Sequence, residues 1–238
     1  MKLYILRHGT TAWNVQHLIQ GASDTPLDGP GEAMARETGR NLASQGIRFS
    51  HVFSSPLSRA VKTAQLAAPG CGIRTDERLL ELHFGSFEGR SVPDLRADEN
   101  CPFRYFSTAP DLYNDAILPY EAVGVPEGCA HPFESLTTLC ARTKSFLQEV
   151  IEPMAAEVPA DTCVLISGHG AMNKALMMHI QGTENLAGFW GKGLQTNCGI
   201  YLAETAAAEN GGICWQTDEV CHTYYDPELI RGVTGLLS

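Results

Sequence analysis

The sequence predicts an α/β fold: a three-layer α-β-α sandwich around a mostly parallel central sheet, with a helical or loop insertion as a lid. Two apolar runs, Leu3–Leu6 and Cys163–Ile166, have the composition of buried parallel strands. Each run leads into a turn with histidine and glycine, Arg7-His8-Gly9 and Gly168-His169-Gly170. Stretches with helical spacing separate the strand candidates. Because open α/β sheets bind ligands at the carboxyl ends of strands, the two turns predict one shared pocket.

Length, composition and charge limit the class of protein. With 238 residues and 44% hydrophobic content, the chain can bury one sizeable core, and we expect a single domain over 1–238 with an insertion at about 86–132. The formal net charge of −10 argues against nucleic acid as a partner, since no basic run offsets the repulsion. Any phosphate that the protein binds must therefore be held by a few local arginines.

The N-terminus and the cysteines indicate a cytoplasmic protein. Arg7 and His8 interrupt the first apolar run, and no stretch approaches the roughly 18 apolar residues of a membrane span, so we expect neither a targeting segment nor a membrane partner. The eight cysteines include no C-x-x-C pair, which predicts buried free thiols in a reducing compartment rather than disulfides or zinc ligands. A monomer and a homodimer are both compatible with the sequence.

The elements after the first turn are predicted from the spacing of apolar residues and from capping and turn residues. Residues 10–14 have capping side chains but little helical length, and apolar spacing predicts a helix over 31–45. A short strand over 51–54 comes next. An edge strand over 72–75 then precedes the insertion.

The start of the next predicted helix determines where Arg59 lies. After the strand over 51–54, Ser55 has the character of an N-cap and Pro56 that of a first helical residue, in a helix that should run to Pro69. This assignment places Arg59 in or just after the first turn. There the unpaired amides and the helix dipole already favour an anion.

In the second half of the chain, the apolar spacing is less regular within the insertion than in the segments after it. Six prolines interrupt residues 86–132, and only the pieces near 91–99 and 102–107 are predicted to be helical. The elements predicted after the insertion are a long amphipathic helix over 133–156, a strand over 162–167, a helix over 171–181, and hairpin strands over 198–203 and 212–217 joined through 210–212.

Five residues form a candidate site for phosphoryl transfer: Arg7, His8, Arg59, Glu81 and His169. Two guanidiniums can neutralise the charge of a phosphoryl group, and an imidazole can attack phosphorus. A carboxylic acid can protonate the departing oxygen. This chemistry needs no metal ion and no other cofactor.

Four stretches resemble the motifs of one family. They are LRHGTTAWN (6–14), SSPLSRAVKTA (54–64), ELHFGSFEG (81–89) and SGHG (167–170). They resemble, in the same order, the motifs of the histidine phosphatase superfamily, branch 1, which is also called phosphoglycerate mutase-like. Together they frame most of residues 1–203. Four ordered motifs make a specific match, whereas an isolated R-H-G triplet would not.

The resemblance implies a role for each matching residue. His8 corresponds to the nucleophile that forms a phosphohistidine, and Glu81 corresponds to the proton donor and acceptor. The groups that bind the transferring phosphoryl group correspond to Arg7, Arg59 and His169. The further positions that line the phosphate pocket correspond to Asn14, Gln20 and Gly21.

Elementary chemistry supports the role of His8 independently. Nearby arginines lower the pKa of an imidazole by like-charge repulsion, which would keep His8 neutral and nucleophilic. Its other ring nitrogen should donate to a backbone carbonyl. Within a strand Arg7 and His8 would point to opposite faces, so we expect the strand to end there, which Gly9 permits. Glu81 should be protonated before the first step because its site is partly desolvated.

Three functions are open at this stage. The first is hydrolysis of a small phosphomonoester through phospho-His8. The second is a phosphoglycerate mutase; the mutases of the family carry a different acid segment and two adjacent arginines in the insertion, whereas Arg90, Arg96 and Arg104 stand apart here, so we prefer hydrolysis. The third is a non-catalytic module that binds a phosphate ligand. The substrate itself is not predicted, because the insertion has no readable pattern.

Overall fold

A six-stranded mixed sheet lies at the centre of the residues that the computed structural model describes, 1–207 and 213–230. The strands are β1 (Lys2–Arg7), β2 (Phe49–Ser54), β3 (Ile73–Thr75), β4 (Cys163–Gly168), β5 (Ile200–Ala207) and β6 (Ile213–His222). Their spatial order is β3-β2-β4-β1-β5-β6. The first four of these are parallel, β5 is antiparallel to β1, and β6 is antiparallel to β5. The sheet is thus mostly parallel, as the sequence predicts.

Helices cover both faces of the sheet. They are α1 (Ala12–Val15), α2 (Gly29–Ser44), α3 (Ser58–Ala67), α4 (Val92–Ala97), α5 (Pro110–Val123), α6 (Leu136–Phe146), α7 (Glu152–Glu157) and α8 (Gly170–Ile180). Alternate side chains of β1 belong to two apolar clusters: Leu3 and Ile5 pack in the cluster that contains α6 and α8. Tyr4 and Leu6 pack in the cluster that contains α2 and α3. These layers confirm the predicted three-layer sandwich.

Helix α3 begins later than the sequence predicts. Leu57, which precedes it, is extended and provides no side-chain cap. Ser55 is not the N-cap, because its N–H donates to a β4 carbonyl at 3.0 Å and so continues the β2–β4 pairing beyond the strand end. The cap comes from a distant loop instead, where Asp24 Oδ1 accepts the Ser58 N–H at 2.8 Å. Arg59 still lies in the first turn, as predicted.

The insertion contains more helix than the sequence predicts. Helix α4 and a 3₁₀ helix over Pro102–Tyr105 correspond to the two predicted pieces. Helix α5 was not predicted, because Pro119 lies inside it and a proline normally breaks a helix. Burial of Tyr113 and Ile117 from the same helix in the core outweighs that cost. Pro110 at its first turn supplies a pre-set helical φ.

The long helix predicted over 133–156 is present, with a later start and a change of geometry. It begins at Leu136, where the Ser135 hydroxyl accepts a backbone N–H of the first turn at 3.1 Å. Helix α6 then passes through a π-helical turn, Leu147–Ile151, into α7. Pro153 has no N–H and crowds the preceding turn, which accounts for the wider turn before it.

The remaining elements agree with the predictions to within a few residues. Strands β2, β3 and β4 and helices α2 and α8 lie where the spacing places them, and β5 and β6 form the predicted antiparallel pair. The predicted turn at 210–212 lies outside the described residues.

All eight cysteines are free thiols, but the prediction that they are buried is wrong for most of them. Only Cys101 and Cys198 are buried, and Cys214 is exposed. Among residues 1–207 and 213–230, no helix combines the length and apolarity needed to cross a bilayer.

Packing of α2 against α3 depends on a glycine, and this dependence can be tested. A Cβ at Gly39 would come within 2.7 Å of the carbonyl oxygens of Leu66 and Ala67, whose backbone cannot easily move. We expect Gly39→Ala to lower the free energy of unfolding in urea by about 1–3 kcal/mol. Gly72→Ala adds the same methyl group where no atom lies within 4 Å, and should change it by less than about 0.5 kcal/mol. Equal effects of the two changes would contradict the packing argument.

Candidate active site

The two histidine turns meet at the carboxyl ends of β1 and β4. These strands pair in parallel with Arg7 opposite Gly168, and the His8 N–H donates to the Gly168 carbonyl at 2.9 Å, one residue beyond β1. The pairing brings the rings of His8 and His169 to a centroid separation of 5.2 Å at 61°. The structure therefore places both histidines in one site, as the sequence predicts.

Gly9 is needed for space. A Cβ there would collide with the Gly31 carbonyl at the start of α2. The Gly9 N–H donates to Thr63 Oγ1 at 3.1 Å, and the Thr63 hydroxyl donates to the Arg59 carbonyl at 2.7 Å. A glycine is therefore needed at this position because two backbone segments come close together, a contact that the sequence does not show. The conformational freedom of glycine, which the sequence suggests as the reason, explains it less well.

His8 has the tautomer and charge that a nucleophile requires. Its Nδ1 lies 2.7 Å from the Gly9 carbonyl, which can only accept, so Nδ1 carries the proton and Nε2 keeps its lone pair. Burial lowers the pKa of His8 well below its usual 6.5, and the charges of Arg59 and Arg7 lower it further. The prediction of a depressed pKa is confirmed in direction, with burial rather than the arginines as the largest cause.

Arg59 is fully buried and held by backbone carbonyls. Nη1 donates to the Ser23 carbonyl and Nη2 to the Gly21 carbonyl, each at 2.7 Å. Nε is buried and has no hydrogen-bond partner among the described residues. Burial lowers the pKa of Arg59 to about 10, which leaves the side chain cationic at neutral pH. Gly21 thus meets Arg59 with its carbonyl, and no contact in the described structure places it on the cavity wall.

Arg7 and His169 complete a set of buried donors. Arg7 Nη1 donates to the Gln195 carbonyl, whereas its Nε is buried without a partner in the part of the chain that the structure describes. Neither ring nitrogen of His169 has a partner there. Burial, and then the charge of Arg59, lower the pKa of His169 well below 6.5. Buried polar atoms without partners are costly, so Arg7 Nε and the one protonated ring nitrogen of neutral His169 are best explained as donors to a ligand.

Glu81 is the buried carboxyl group of the site. Oε1 accepts the N–H groups of Leu82 at 2.8 Å and Met172 at 3.0 Å, and Oε2 accepts that of Ala171 at 3.2 Å. It therefore caps the start of α8. Burial raises the pKa of Glu81 above its usual 4.5 and outweighs the three amide hydrogen bonds, which lower it. The direction agrees with the expectation of a protonated acid.

A cavity of about 580 Å³ opens beside Arg7, His8 and Glu81, whereas Arg59 and His169 are not among its lining residues. Arg7, His8, Glu81, Asn14 and Gln20 are among its lining residues. Gln20 Oε1 accepts the Thr25 hydroxyl at 2.6 Å, and its Nε2 is buried with no partner in the described residues. The carbonyl oxygen of Asn14 forms a capping box with Thr11, so its amide nitrogen is the end that can meet a ligand.

Several supporting residues were not found from the sequence. Gln195 donates to the Ile5 and Gly199 carbonyls at 2.8 Å, and so fixes the loop whose carbonyl meets Arg7. Asn197 donates to the His8 carbonyl at 2.9 Å. Their only signal is that they are polar residues directly before a strand, which is too common to be informative.

Two acidic residues support the site through the backbone. Glu88 accepts the N–H groups of Ala22 at 3.0 Å and Ser23 at 2.7 Å, and so orders the loop whose carbonyls hold Arg59. Glu134 pairs with Arg142 at 2.6 Å, and Arg142 donates to the Glu81 carbonyl at 3.0 Å. The E-x₆-E spacing from residue 81 to residue 88 was visible in the sequence, but the loop that it holds was not.

Comparison with known proteins identifies the family. Residues 3–216 match the family model of the histidine phosphatase superfamily (branch 1). The chain belongs to this superfamily. It is also 32% identical over 184 residues to a probable phosphoglycerate mutase, GpmB, of Yersinia enterocolitica, with 76% of this chain and 75% of the relative aligned.

Solved structures of related proteins share the fold of this histidine phosphatase superfamily member. A mycobacterial glucosyl-3-phosphoglycerate phosphatase in complex with VO3 has 25% sequence identity and a TM-score of 0.67, with 91% of this chain and 96% of that chain covered. A phosphoserine phosphatase from Entamoeba histolytica in complex with 3-phosphoglyceric acid also has 25% identity, with a TM-score of 0.63 and coverage of 92% and 97%. Relatives of this chain thus include proteins named as phosphatases and as probable mutases.

The low pKa of His8 in this histidine phosphatase superfamily member can be measured directly. Removing a nearby positive charge makes the imidazolium less unfavourable, so we expect Arg59→Gln to raise the pKa of His8 towards 6.5. NMR of labelled histidine rings during a pH titration measures this change. Lys62→Gln, three residues further along α3, removes an equal charge that does not act on His8 and should leave its titration unchanged. A wild-type His8 that titrates at or above 6.5 would contradict the analysis.

The loop held by Glu88 gives a second test. In Glu88→Gln an amide NH₂ replaces one of the two oxygens that accept the Ala22 and Ser23 N–H groups, so the carbonyls around Arg59 lose their fixed position. We expect kcat/KM towards a phosphomonoester to fall roughly 10- to 100-fold, the scale of a small misplacement of a charged group. Glu77→Gln, an exposed carboxylate near the same segment, serves as the matched control and should have no effect.

Proposed function

We propose that this protein hydrolyses the phosphomonoester of a small metabolite through a phosphohistidine intermediate on His8. The observation that carries the proposal is a buried, neutral imidazole with a free Nε2, next to two guanidiniums whose Nε atoms have no partner among the described residues. Arg7 and Arg59 would supply the positive charge, and neutral His169 a hydrogen bond, that a transferring phosphoryl group needs. The proposed partner is therefore a small phosphorylated molecule.

The first step transfers the phosphoryl group to the protein. The lone pair of His8 Nε2 attacks phosphorus as the bond to the ester oxygen breaks. Glu81, whose pKa burial raises, gives its proton to that oxygen, and the alcohol departs. The Nδ1–H bond to the Gly9 carbonyl holds the ring and stabilises the positive charge that develops on it.

The second step releases phosphate. Glu81, now ionised, takes a proton from a water molecule that attacks phosphorus. The bond between phosphorus and Nε2 breaks, and its electron pair returns to the imidazole. Inorganic phosphate leaves, and Glu81 is again protonated, so the site is ready for another cycle.

A phosphoglycerate mutase is the second candidate, which the similarity to the probable mutase of Yersinia enterocolitica favours. In that case phospho-His8 would return the phosphoryl group to a bound phosphoglycerate. Two arginines of the insertion, Arg96 and Arg104, line the cavity although they are not adjacent in sequence, whereas Arg90 is exposed and is not among its lining residues. Interconversion of 3- and 2-phosphoglycerate faster than release of phosphate would favour this candidate.

The intermediate supplies the direct test of the proposal. Protein mixed with ³²P-labelled monoester and quenched in alkali should carry label on His8, since phosphohistidine survives alkali. We expect His8→Ala to lose both label and turnover, and Arg59→Met to lower kcat about 10²- to 10³-fold. The assay contains EDTA. A phosphate-binding protein without label or turnover would support the non-catalytic alternative.

The role of Glu81 is tested by changing the leaving group. p-Nitrophenolate leaves without much help from an acid, whereas an alkoxide must be protonated. We expect Glu81→Gln to lower kcat on glycerol 1-phosphate about 10²- to 10⁴-fold and on p-nitrophenyl phosphate much less. Equal losses on both substrates would show that Glu81 acts through the fold of the α8 terminus rather than as an acid.

A further inference from the structure

The cavity that contains His8 is far larger than a phosphoryl group requires. Its volume is about 580 Å³, and the polar groups described above account for only part of its wall. The rest is formed mainly by apolar side chains of the third motif, the insertion and the segment after α8. These residues are therefore available to contact the part of a substrate that lies beyond its phosphoryl group.

Four aromatic rings form one continuous wall of the cavity. Phe106 lies at their centre, with ring centroids 5.2 Å from Phe84, 5.1 Å from Phe103 and 5.0 Å from Trp190. The indole N–H of Trp190 donates to the Phe106 carbonyl, so the polar atom of this side chain is satisfied within the wall. Such a surface favours a flat apolar group, because aromatic contacts are strongest with another ring or with aliphatic carbon. Sugar hydroxyls against it would lose hydrogen bonds to water without replacement.

Two arginines of the insertion line the same cavity, and the hydrogen bonds described for them go to neutral acceptors rather than to carboxylates. Arg96 Nη2 donates to the Ser107 hydroxyl at 3.2 Å, and Arg104 Nη1 donates to the Glu99 carbonyl at 2.9 Å, so both acceptors are neutral. Arg96 Nε is buried and has no partner among the described residues. In a chain with a net charge of −10, two such cations on one cavity favour an anion.

We propose that the substrate is a phosphomonoester whose leaving alcohol carries a flat apolar body, bound against Phe84, Phe103, Phe106 and Trp190, and a second anionic group, bound by Arg96 and Arg104. This inference rests on the proposed function, because it assigns the part of the substrate that departs when His8 is phosphorylated. It excludes glycerol and sugar phosphates as preferred substrates, and it excludes 3-phosphoglycerate, which has the second anion but no apolar body.

Three monoesters of primary alcohols separate these features while keeping the leaving groups similar: glycerol 1-phosphate, benzyl phosphate and 4-carboxybenzyl phosphate. We expect kcat/KM for benzyl phosphate to exceed that for glycerol 1-phosphate by at least about 100-fold. We expect kcat/KM for 4-carboxybenzyl phosphate to exceed that for benzyl phosphate by roughly a further tenfold, mainly because its KM is lower. A preference for glycerol 1-phosphate, or a carboxylate that weakens binding, would overturn the proposal.

Variants assign the effects to residues. Arg96→Gln with Arg104→Gln should bring kcat/KM for 4-carboxybenzyl phosphate down to that for benzyl phosphate, measured with the same variant. Arg90→Gln, an exposed arginine of the same insertion that is not among the cavity-lining residues, should leave the order of substrates unchanged. Trp190→Ser should reduce the preference for benzyl over glycerol phosphate, and a thermal melt shows whether that variant is folded. An intact carboxylate advantage in the double variant would contradict the assignment.

Binding separates this inference from the proposed function. Calorimetry with the His8→Ala protein measures affinity for the three monoesters without turnover. If no monoester is hydrolysed but the affinities follow the expected order, the proposed function fails and the substrate class stands. If all three are hydrolysed through phospho-His8 with equal kcat/KM, the proposed function stands and the substrate class is wrong.

Discussion

The site depends on the parallel pairing of β1 with β4, carried one residue past the end of β1. The hydrogen bond from the His8 N–H to the Gly168 carbonyl fixes two turns that are 161 positions apart in the chain, as residues 8 and 169 show. A sheet slip of one residue would turn every side chain of β1 to the opposite face. Because both faces of β1 are packed in apolar clusters, that slip is strongly disfavoured, and core packing thereby sets the distance between the histidine rings.

Burial of this site produces two opposite effects on protonation. Desolvation lowers the pKa of His8 because its charged form is cationic, and raises the pKa of Glu81 because its charged form is anionic. The same dry environment thus disfavours the charged form of both groups. The arginines reinforce the effect of burial on His8, whereas at Glu81 three backbone N–H groups, and then Arg59, oppose burial without reversing it. The first step of the proposed mechanism uses these two uncharged forms.

How far the sequence predicts this molecule depends on the range of the interactions involved. Local apolar spacing and glycines at the ends of elements predict strand β1, helix α2 and the turn at His169. The cap of α3 by Asp24, the need for space at Gly9, and the carbonyls around Arg59 are contacts between distant segments, which no local pattern encodes. Helix α5 was missed because tertiary burial overrides the local effect of its internal proline.

The third motif links the acid to the anion-binding arginine. Glu81 reaches the amides of α8, and Glu88, seven residues later, holds the backbone of Ala22 and Ser23 beside Arg59. One short segment therefore fixes both the proton-transfer group and, through the 21–23 loop, the guanidinium. Helix α4 and the residues directly after it contribute Arg96, Arg104 and two of the four rings of the aromatic wall, Phe103 and Phe106. Since the chemical groups do not depend on that part of the insertion for their positions, we expect it to determine which alcohol is accepted in the proposed reaction without altering how the phosphoryl group is transferred.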